Sequence, residues 1–277
     1  MTTPARSDKH TIMQFDTAEG LLEYLLQQHG AQYANKDFVF RGEPRKYTSV
    51  LSPIDRVTID RLPNRAIAVS AELGVIVEFW QSIRLTLPIE QHALVDDGGS
   101  ILPLMRHYEA PTRLLDWTIS PWIAAHFSAW SNLDEDGRIL SFDRNSASIH
   151  LKPNRGTLEY FQPIDYRGVS VPKVLVDSIS GLDDWLVPYH HIGPQFPRIV
   201  SQQGMFTLAS NPWIDHWEMI KNHEHVESYE IHIRADIKAG VMRRLRRMGI
   251  TSAALFPDPV GIGWNVRDRL ISDLNER

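Results

Sequence analysis

Hydrophobic residues recur at helical spacing in several stretches of the chain. In residues 16–30 the apolar side chains fall on one helix face, with Asp16 or Thr17 able to cap the helix and Gly30 able to end it. Residues 65–86 show a second, longer helical pattern. Further helices are predicted at residues 101–109, from Ser120 or Pro121 to about residue 130, and at residues 236–249, where Val241, Leu245 and Met248 would face inward.

Shorter apolar runs predict strands between these helices. FVFRG, residues 38–42, is typical of a strand that is buried on both faces and stops at Gly42. In residues 229–234 apolar and polar residues alternate, which predicts a half-exposed strand. Other strands are predicted at residues 138–144, 174–177 and 250–256, and residues 183–200 are predicted to be irregular. This mixture indicates an α+β fold.

Composition places the chain among ordinary globular proteins. It has 277 residues, of which 43% are hydrophobic and 23% charged, and no linker-like segment divides it. We predict a flexible tail at residues 1–12 and a single domain at residues 13–277. The absence of cysteine excludes disulfides and thiol nucleophiles and suits a reducing compartment. With no run of about eighteen apolar residues, we expect a soluble, cytoplasmic protein that does not enter a membrane.

Arg41 is the first candidate for a functional side chain. It follows an apolar strand and precedes Gly42, so its guanidinium stands where the backbone can turn sharply. Such an arginine can bind a phosphate or carboxylate of a ligand through two parallel hydrogen bonds. It can equally pair with a buried acidic residue at the strand end, and the sequence favours neither alternative.

Residues 105–118, MRHYEAPTRLLDWT, concentrate polar side chains between two apolar runs. Arg113, Asp116 and Trp117 are predicted to form a structural network that fixes a loop to the core, with Arg113 bridging to Asp116. His107 and Tyr108 are better candidates for contact with a ligand, because their rings are rigid and carry directional hydrogen-bonding groups. The alternative for both is a hydrogen-bonded place in the core.

Two further segments carry polar groups of interest. In RIVSQQGMF, residues 198–206, Gln202 or Gln203 could bind a ribose hydroxyl or could simply hold a loop by amide hydrogen bonds. Ser120 is most simply a helix cap, although a helix start also attracts anions. HEHVE, residues 223–227, lacks the spacing of a metal site, so we expect a solvated loop and no metal. RRLRR, residues 243–247, is expected to be a solvated helix face.

The chain resembles the FRG domain family, named for its Phe-Arg-Gly motif. The resemblance is carried by FVFRG, MRHYEAPTRLLDWTISPWIAAHF, RIVSQQGMF and LRRMGITSAALFPDPVGIG, in that order, and spans roughly residues 20–265. Arg106 stands where the family usually has glutamine, and Glu109 stands where it usually has glycine. The family is found in bacteria and phages, so the resemblance implies a toxin or anti-phage defence setting.

The order of motifs also resembles, more distantly, the ADP-ribosyltransferases. That likeness implies a split mixed or antiparallel sheet flanked by helices and an enzyme that uses NAD as its substrate, by ADP-ribosyl transfer or NAD hydrolysis. Arg41 and Gly42 would bind the phosphates, and His107 and Tyr108 the ribose or nicotinamide. Thr118 and Ser120 would match the Ser or Thr element, and Gln202 or Gln203 would take the place of a late glutamate that stabilises the transition state.

Two other interpretations remain open at this point. Because a glutamine has no charge, the protein could be a catalytically inactive sensor or regulatory module that binds a nucleotide or RNA, with residues 243–247 supplying basic side chains. It could also be an interaction protein in which residues 105–118 have only a structural role. The partners we expect are a nucleotide, a macromolecular target, an antitoxin or regulator, or RNA.

Overall fold

The computed structural model describes residues 5–7, 9–30, 36–89, 92–96, 100–153, 157–189 and 196–274. The strands in these residues are β1 (Ala5–Ser7), β2 (His10–Phe15), β3 (Phe38–Glu43), β4 (Leu114–Thr118), β5 (Gly137–Asp143), β6 (Pro163–Tyr166), β7 (Val169–Pro172), β8 (Leu186–Tyr189), β9 (Gly204–Ala209) and β10 (Ser228–Ile233).

The helices in the described residues are α1 (Ala18–Gly30), α2 (Pro53–Thr58), α3 (Arg65–Thr86), α4 (His92–Asp96), α5 (Ile101–His107), α6 (Pro121–Ala129), α7 (Arg144–His150), α8 (Thr157–Tyr160), α9 (Lys173–Asp177), α10 (Pro197–Ser201), α11 (His216–Lys221), α12 (Ala235–Arg247), α13 (Ser252–Leu255) and α14 (Pro259–Leu274). Several helices begin where a side chain caps the first turn. Ser52, Asn64 and Asp215 accept hydrogen bonds from backbone N–H groups of α2, α3 and α11.

Eight strands form one mixed sheet in the order β1-β2-β10-β5-β3-β4-β9-β8, and β6 and β7 form a separate two-stranded sheet. In the large sheet β10 runs parallel to β2, and the other neighbouring strands are antiparallel. The α+β class and the mixed sheet flanked by helices are therefore confirmed. The sheet is split in the middle, because β3 and β4 share one residue pair, Phe40 with Thr118.

The core occupies both faces of the sheet. On one face, Phe38 and Phe40 of β3 pack with α1, α6 and α12. On the other face, Val39 packs with Leu115 of β4 and with Trp217 of α11. Beyond the split, α3 and α5 cover β4, β8 and β9. The prediction that residues 38–42 are buried on both faces holds through Phe40, whereas Arg41 and Gly42 are half-exposed at the split.

A buried ion pair joins α3 to the start of β4. Arg113 is fully buried, and its Nε donates to Oε2 of Glu72 at 2.9 Å while its backbone N–H donates to Oε1 at 3.2 Å. Nη1 of Arg113 also donates to the carbonyl oxygen of Ser210 at 2.6 Å. The predicted bridge from Arg113 to Asp116 is wrong, since Arg113 enters the core towards α3, away from the cavity that Asp116 lines.

Helix α3 is the one helix in the described part of the chain that is long and apolar enough to cross a membrane by length and composition. Its buried face includes Val69, Leu73 and Ile76, which pack against α5 and β4. Glu72 on the same face is 1% exposed and pairs with Arg113. These contacts are those of a core helix.

Several predicted elements differ from the structure. Residues 174–177 lie in α9 and residues 252–255 in α13, where strands were expected; short apolar runs do not distinguish the two states, and Thr251 caps α13 by accepting from Ala254 N. Residues 183–200, expected to be irregular, contain β8 and α10. Met248 is 51% exposed because it follows the last turn of α12, whereas Val241 and Leu245 are buried as predicted.

Residues of the predicted tail take part in the sheet. β1 pairs with β2, and β2 pairs along its whole length with β10, from His10 opposite Ser228 to Phe15 opposite Ile233. His10 Nδ1 also lies 2.9 Å from the hydroxyl of Ser228. Backbone pairing across the sheet therefore includes Ala5–Ser7 and His10–Ile12 of the predicted tail, and the division into a tail at residues 1–12 and a domain at residues 13–277 stays a prediction.

Candidate functional site

A cavity of about 230 Å³ opens at the split between β3 and β4, and we call it the split cavity. Its wall combines aromatic rings with three arginines, one imidazole and one carboxylate. The residues that line it are Phe40, Arg41, Gly42, Arg106, His107, Asp116, Trp117, Thr118, Phe127, Arg198, Ile199, Gln202, Phe206 and Phe256. The arrangement suits a ligand that has both an aromatic ring and negative charge.

Arg41 stands in the wall of the split cavity with its position fixed from two sides. Its Nε donates to the buried Oε1 of Glu43 at 3.1 Å, and its Nη1 donates to the backbone oxygen of Asp116 at 2.9 Å. The alternative of pairing with a buried acid is therefore present in the structure. The arginine also faces a cavity, and its binding of a ligand stays a prediction. The hydrogen bond to Asp116 ties β3 to β4 where the strands separate.

Arg106 and Asp116 form an ion pair in the same wall. Arg106 Nη2 donates to Oδ2 of Asp116 at 2.7 Å. Burial alone would raise the pKa of Asp116, but the charge and hydrogen bonds of Arg106, followed by the charges of Arg41 and Arg56, lower it. Asp116 is therefore ionised at neutral pH, and among the described residues it is the one carboxylate in the lining of the split cavity.

His107 lies in the cavity wall, stacked on Phe196 with ring centroids 5.3 Å apart. Its buried Nδ1 has no hydrogen-bond partner among the described residues. Burial, followed by the charge of Arg198, lowers the pKa of His107, so the imidazole is neutral at physiological pH. A buried polar atom without a partner is costly, and a polar ligand group would satisfy it.

Arg198 adds a third cation to the wall. Its guanidinium lies over the ring of Phe256, 4.5 Å from the centroid, and Nη1 donates to Oε1 of Glu109 at 2.9 Å. This pair joins α10 to the turn after α5. No role was predicted for Arg198 or Phe256, although both stand in quoted motif segments, because the segments that meet in this wall lie far apart in the chain.

The other predicted site residues fall inside and outside the split cavity. Gln202 and Thr118 line it, and Gln202 donates from Nε2 to the carbonyl oxygen of Leu255 at 3.2 Å, while Thr118 donates to the carbonyl oxygen of Gln202 at 2.7 Å. Ser120 is a cap, accepting from Ile123 N. Neither Gln203 nor Tyr108 lines the cavity, and Tyr108 is 47% exposed beside His107.

Trp117 connects the cavity wall to a buried histidine. Its Nε1 donates to the hydroxyl of Thr207 at 2.9 Å, and that hydroxyl lies 2.7 Å from Nδ1 of His216. The Thr207 hydroxyl can accept from Trp117 and still form this second hydrogen bond, in which the donor depends on the tautomer of His216. Burial, followed by the charges of Arg41, Arg56 and Arg113, lowers the pKa of His216 to about 3. The hydrogen-bond partner of Trp117 is thus Thr207, and not Arg113 or Asp116 as in the predicted structural network.

The low pKa of His216 predicts a loss of stability in acid. In the unfolded chain this imidazole titrates near pH 6.5. As the pH falls, the unfolded state therefore takes up the proton before the folded state does. The contribution of the neutral His216 to the free energy of unfolding is fully present above pH 6.5 and is lost as the pH falls towards 3. On going from pH 6.5 to 5.5, the free energy of unfolding falls by about 1 kcal/mol for this reason.

Urea denaturation of the protein and of His216→Gln at these two pH values measures this contribution. Glutamine keeps an acceptor for Thr207, so we expect the variant to lose about 1 kcal/mol less than the native protein on acidification. His150→Gln, at an exposed position, serves as the control. Equal pH dependence in the native protein and His216→Gln would contradict the expectation.

Comparison with protein families finds a match for a part of the chain that supplies much of this wall. The family model of the FRG domain matches residues 36–137. These residues are an FRG domain. The match contains β3, α5, β4 and α6, and therefore Arg41, Arg106, His107 and Asp116 of the split cavity. No curated protein and no solved structure matches the chain.

The structure explains the two positions at which this FRG domain departs from the usual motif. Glu109 has φ +62°, a left-handed conformation that glycine adopts without strain, which accounts for the usual glycine. Arg106, at the usual glutamine position, brings a charge into the cavity and pairs with Asp116. The predicted extension of the resemblance to residues 20–265, which adds Arg198 and Gln202, remains a prediction.

The other segments singled out in the sequence lie away from the split cavity. Residues 223–227 form a loop between α11 and β10, as predicted, and no group of three His, Asp or Glu residues in the described ranges is placed to hold a metal ion. In the basic segment of α12, Arg244 pairs with Glu19 of α1 and donates to the carbonyl oxygen of Gly240. Part of that basic face is therefore neutralised within the protein.

Proposed function

We propose that this FRG-domain protein binds NAD at the split cavity and acts on it as an ADP-ribosyltransferase-like enzyme, by ADP-ribosyl transfer or by NAD hydrolysis. The observation that carries the proposal is the convergence of Arg41, Arg106 and Arg198 with aromatic walls and the carboxylate of Asp116 in one cavity. The setting we propose is that of a toxin or anti-phage effector, with a macromolecular target and an antitoxin or regulator as partners.

The charges favour a ligand that carries phosphate. Three guanidiniums line the split cavity against one carboxylate, and an arginine can meet two phosphate oxygens at once. Aromatic rings such as Phe127 and Phe256 give a flat base or nicotinamide a surface to pack on. Small-molecule cavities usually measure about 300–1,000 Å³, so the 230 Å³ here suits one half of a dinucleotide.

Cleavage of NAD would need stabilisation of a positive ribose. The bond between the ribose carbon and the nicotinamide nitrogen breaks, its electron pair leaves with nicotinamide, and water or a target nucleophile adds to the ribose carbon and loses a proton. Asp116 is ionised and would stabilise the oxocarbenium charge. The side-chain oxygen of Gln202 accepts no hydrogen bond from the described residues and would receive one from a ribose hydroxyl.

Thermal stability with NAD, ADP-ribose and ATP tests binding first. A ligand at about a hundred times its dissociation constant raises stability by about 2.7 kcal/mol. We expect this shift with NAD in the native protein and its loss in Arg41→Ala. Arg61→Ala, which removes an exposed arginine outside the cavity, is the matched control. No shift with any of the three nucleotides would overturn the proposal.

Release of nicotinamide from NAD tests catalysis separately. We expect release by the native protein and a loss of about a hundredfold in Asp116→Asn, with NAD binding retained, because the removed charge acts on the transition state. Asparagine has nearly the same shape as aspartate, so the variant changes mainly the charge. An unchanged rate in Asp116→Asn would exclude the assigned role of this carboxylate.

The second candidate is an inactive nucleotide-binding sensor. Asp116 already pairs with Arg106, and the late motif position carries Gln202 in place of an acid, both of which weaken the stabilisation of a positive ribose. A thermal shift with NAD together with no nicotinamide release would favour this function. RNA binding that weakens steeply with salt and with Arg247→Ala would instead place the ligand on α12.

A further inference from the structure

A second cavity of about 280 Å³ adjoins the split cavity, and we call it the loop cavity. The two share Arg41 and Gly42 in their walls. The rest of the lining comes from the last residue of β3, from the segment between β3 and α2 and from α2 itself, namely Glu43, Pro44, Tyr47, Thr48, Ser49, Val50, Leu51 and Arg56. None of the roles proposed above uses this segment.

The backbone around the loop cavity is held by the core. The carbonyl oxygen of Pro44 accepts from the buried Lys238 Nζ at 2.5 Å, and that of Tyr47 accepts from Arg138 Nη2 at 2.9 Å. At the other end, Val50 N donates to Asp215 Oδ2 at 3.0 Å. The segment is thus fixed at its start, middle and end, while the side chains of residues 45–49 remain exposed.

Arg56 is an exposed cation in the lining of the loop cavity. Its Nε donates to the carbonyl oxygen of Leu51 at 3.0 Å, which fixes the guanidinium at the cavity wall. Among the described residues it forms no ion pair, and its two terminal nitrogens donate to no protein acceptor. Both terminal nitrogens can therefore donate to a ligand, and the planar guanidinium can meet two oxygens of a phosphate at once.

The surrounding charges leave a positive excess at the loop cavity. Glu43 pairs with Arg41 and Arg138, and Arg138 also pairs with Glu230, so two carboxylates balance these two arginines and Arg56 is the additional cation. Partial burial, followed by the like charge of Arg41, lowers the pKa of Arg56 from its usual value, as expected for two guanidiniums that stand near each other. An arginine is nevertheless protonated at any physiological pH. A bound anion between them would remove the repulsion.

Neutral groups in the lining complete the site. Thr48 and Ser49 bring hydroxyls that donate to no other described residue, and Tyr47 brings a third. Hydroxyl and guanidinium donors without a carboxylate acceptor facing them are the groups that surround phosphate oxygens in proteins. Since Glu43 is 2% exposed and turned to its two arginines, it offers little repulsion to an anion.

We propose that the loop cavity is a phosphate-binding subsite in which Arg56, together with Arg41 and the hydroxyls of Thr48 and Ser49, binds an anionic phosphate group. The proposal does not depend on NAD as the ligand of the split cavity. The phosphate can come from free inorganic pyrophosphate or from a nucleotide whose remaining part enters the split cavity through the shared wall at Arg41 and Gly42.

Calorimetric titration with inorganic pyrophosphate tests this subsite. A hydrogen bond between charged groups contributes enough that we expect Arg56→Gln to weaken pyrophosphate binding about tenfold or more. Arg61→Gln is the matched control, because Arg61 also donates to a carbonyl oxygen in the same part of the chain but lines neither cavity. We expect its dissociation constant to stay within about twofold of the native value.

Thr48→Asp gives a second variant at an exposed position, where folding tolerates the change. The new carboxylate would repel pyrophosphate, so we expect weaker binding of at least the same order as in Arg56→Gln. Absence of pyrophosphate binding in the native protein would overturn the proposal, and so would binding in Arg56→Gln and Thr48→Asp as tight as in the native protein. Loss in Arg198→Gln with none in Arg56→Gln would move the phosphate to the split cavity.

ADP-ribose and adenosine distinguish the source of the phosphate. If a nucleotide spans both cavities, Arg56→Gln weakens ADP-ribose as well as pyrophosphate, and adenosine, which has no phosphate, is unaffected. If only free phosphate enters, ADP-ribose binding is unchanged by Arg56→Gln. Pyrophosphate binding that depends on Arg56, in a protein that binds no NAD, would support the subsite and reject the proposed function. NAD binding in a protein whose pyrophosphate binding does not depend on Arg56 would reject the subsite alone.

Discussion

Arg113→Met is expected to lower the free energy of unfolding by about 3–5 kcal/mol, the largest effect of any single substitution considered for this protein. The change leaves the carboxylate of Glu72 buried, 1% exposed, without its cation. It also removes the donor to the carbonyl oxygen of Ser210. Because Arg113 immediately precedes β4, the loss should also disturb Asp116 and Thr118 in the split cavity.

Urea denaturation of three variants separates the charge effect from packing. Glu72→Leu combined with Arg113→Met replaces the pair by apolar side chains, and we expect it to recover most of the loss, since a buried pair contributes little beyond its own desolvation. Arg65→Ala breaks the exposed pair with Asp184 and should cost less than about 1 kcal/mol. A loss in Arg113→Met as small as that in Arg65→Ala would contradict the prediction.

Gly42→Ala is expected to destabilise the protein by about 3 kcal/mol or more and to deform the split cavity. Strand β3 passes so close to α6 that a Cβ at this position would meet the backbone nitrogen of Ser128 at 2.7 Å and would lie still closer to the carbonyl oxygen of Ala124. Both partners are backbone atoms, which cannot rotate away. The strand and the helix would have to separate.

Gly74→Ala provides the matched control for this substitution. Gly74 lies inside α3, and no heavy atom stands within 4 Å of a Cβ built there. Alanine favours a helix over glycine by about 0.5–1 kcal/mol, so this variant should be slightly more stable than the native protein. Thermal denaturation of both variants gives the comparison, and Gly42→Ala with native stability would show that β3 and α6 adjust without cost.

The Gly42 prediction bears on the Phe-Arg-Gly segment, residues 40–42, as a whole. Phe40 packs in the core on one face of the sheet. Arg41 lines the split cavity and donates hydrogen bonds to Glu43 and Asp116. Gly42 allows the backbone of α6 to approach β3. The three residues therefore have three separate physical roles. Gly42 permits the short distance between β3 and α6, and Arg41 stands beside it in the wall of the split cavity.

The sequence was sufficient where a segment depends on its own pattern. The periodic apolar residues of α1, α3 and α12 predicted those helices, Ser120 and Pro121 predicted the start of α6, and the apolar run before Arg41 predicted β3. The motif segments within residues 36–137 were also enough to indicate the FRG domain. Residues 174–177 and 250–256 were predicted wrongly because a run of a few apolar residues fits a short helix as well as a strand.

The tertiary structure alone decided the partners of the polar residues. Arg113 pairs with Glu72, which is 41 positions away, and not with Asp116, three positions away, because β4 points alternate side chains to opposite faces. The split cavity likewise brings together Arg41, Arg106 and Arg198 from distant segments, and the loop cavity leaves Arg56 without a carboxylate among the described residues. Local patterns determine which elements form, whereas contacts between charges depend on the distances that the packed sheet sets.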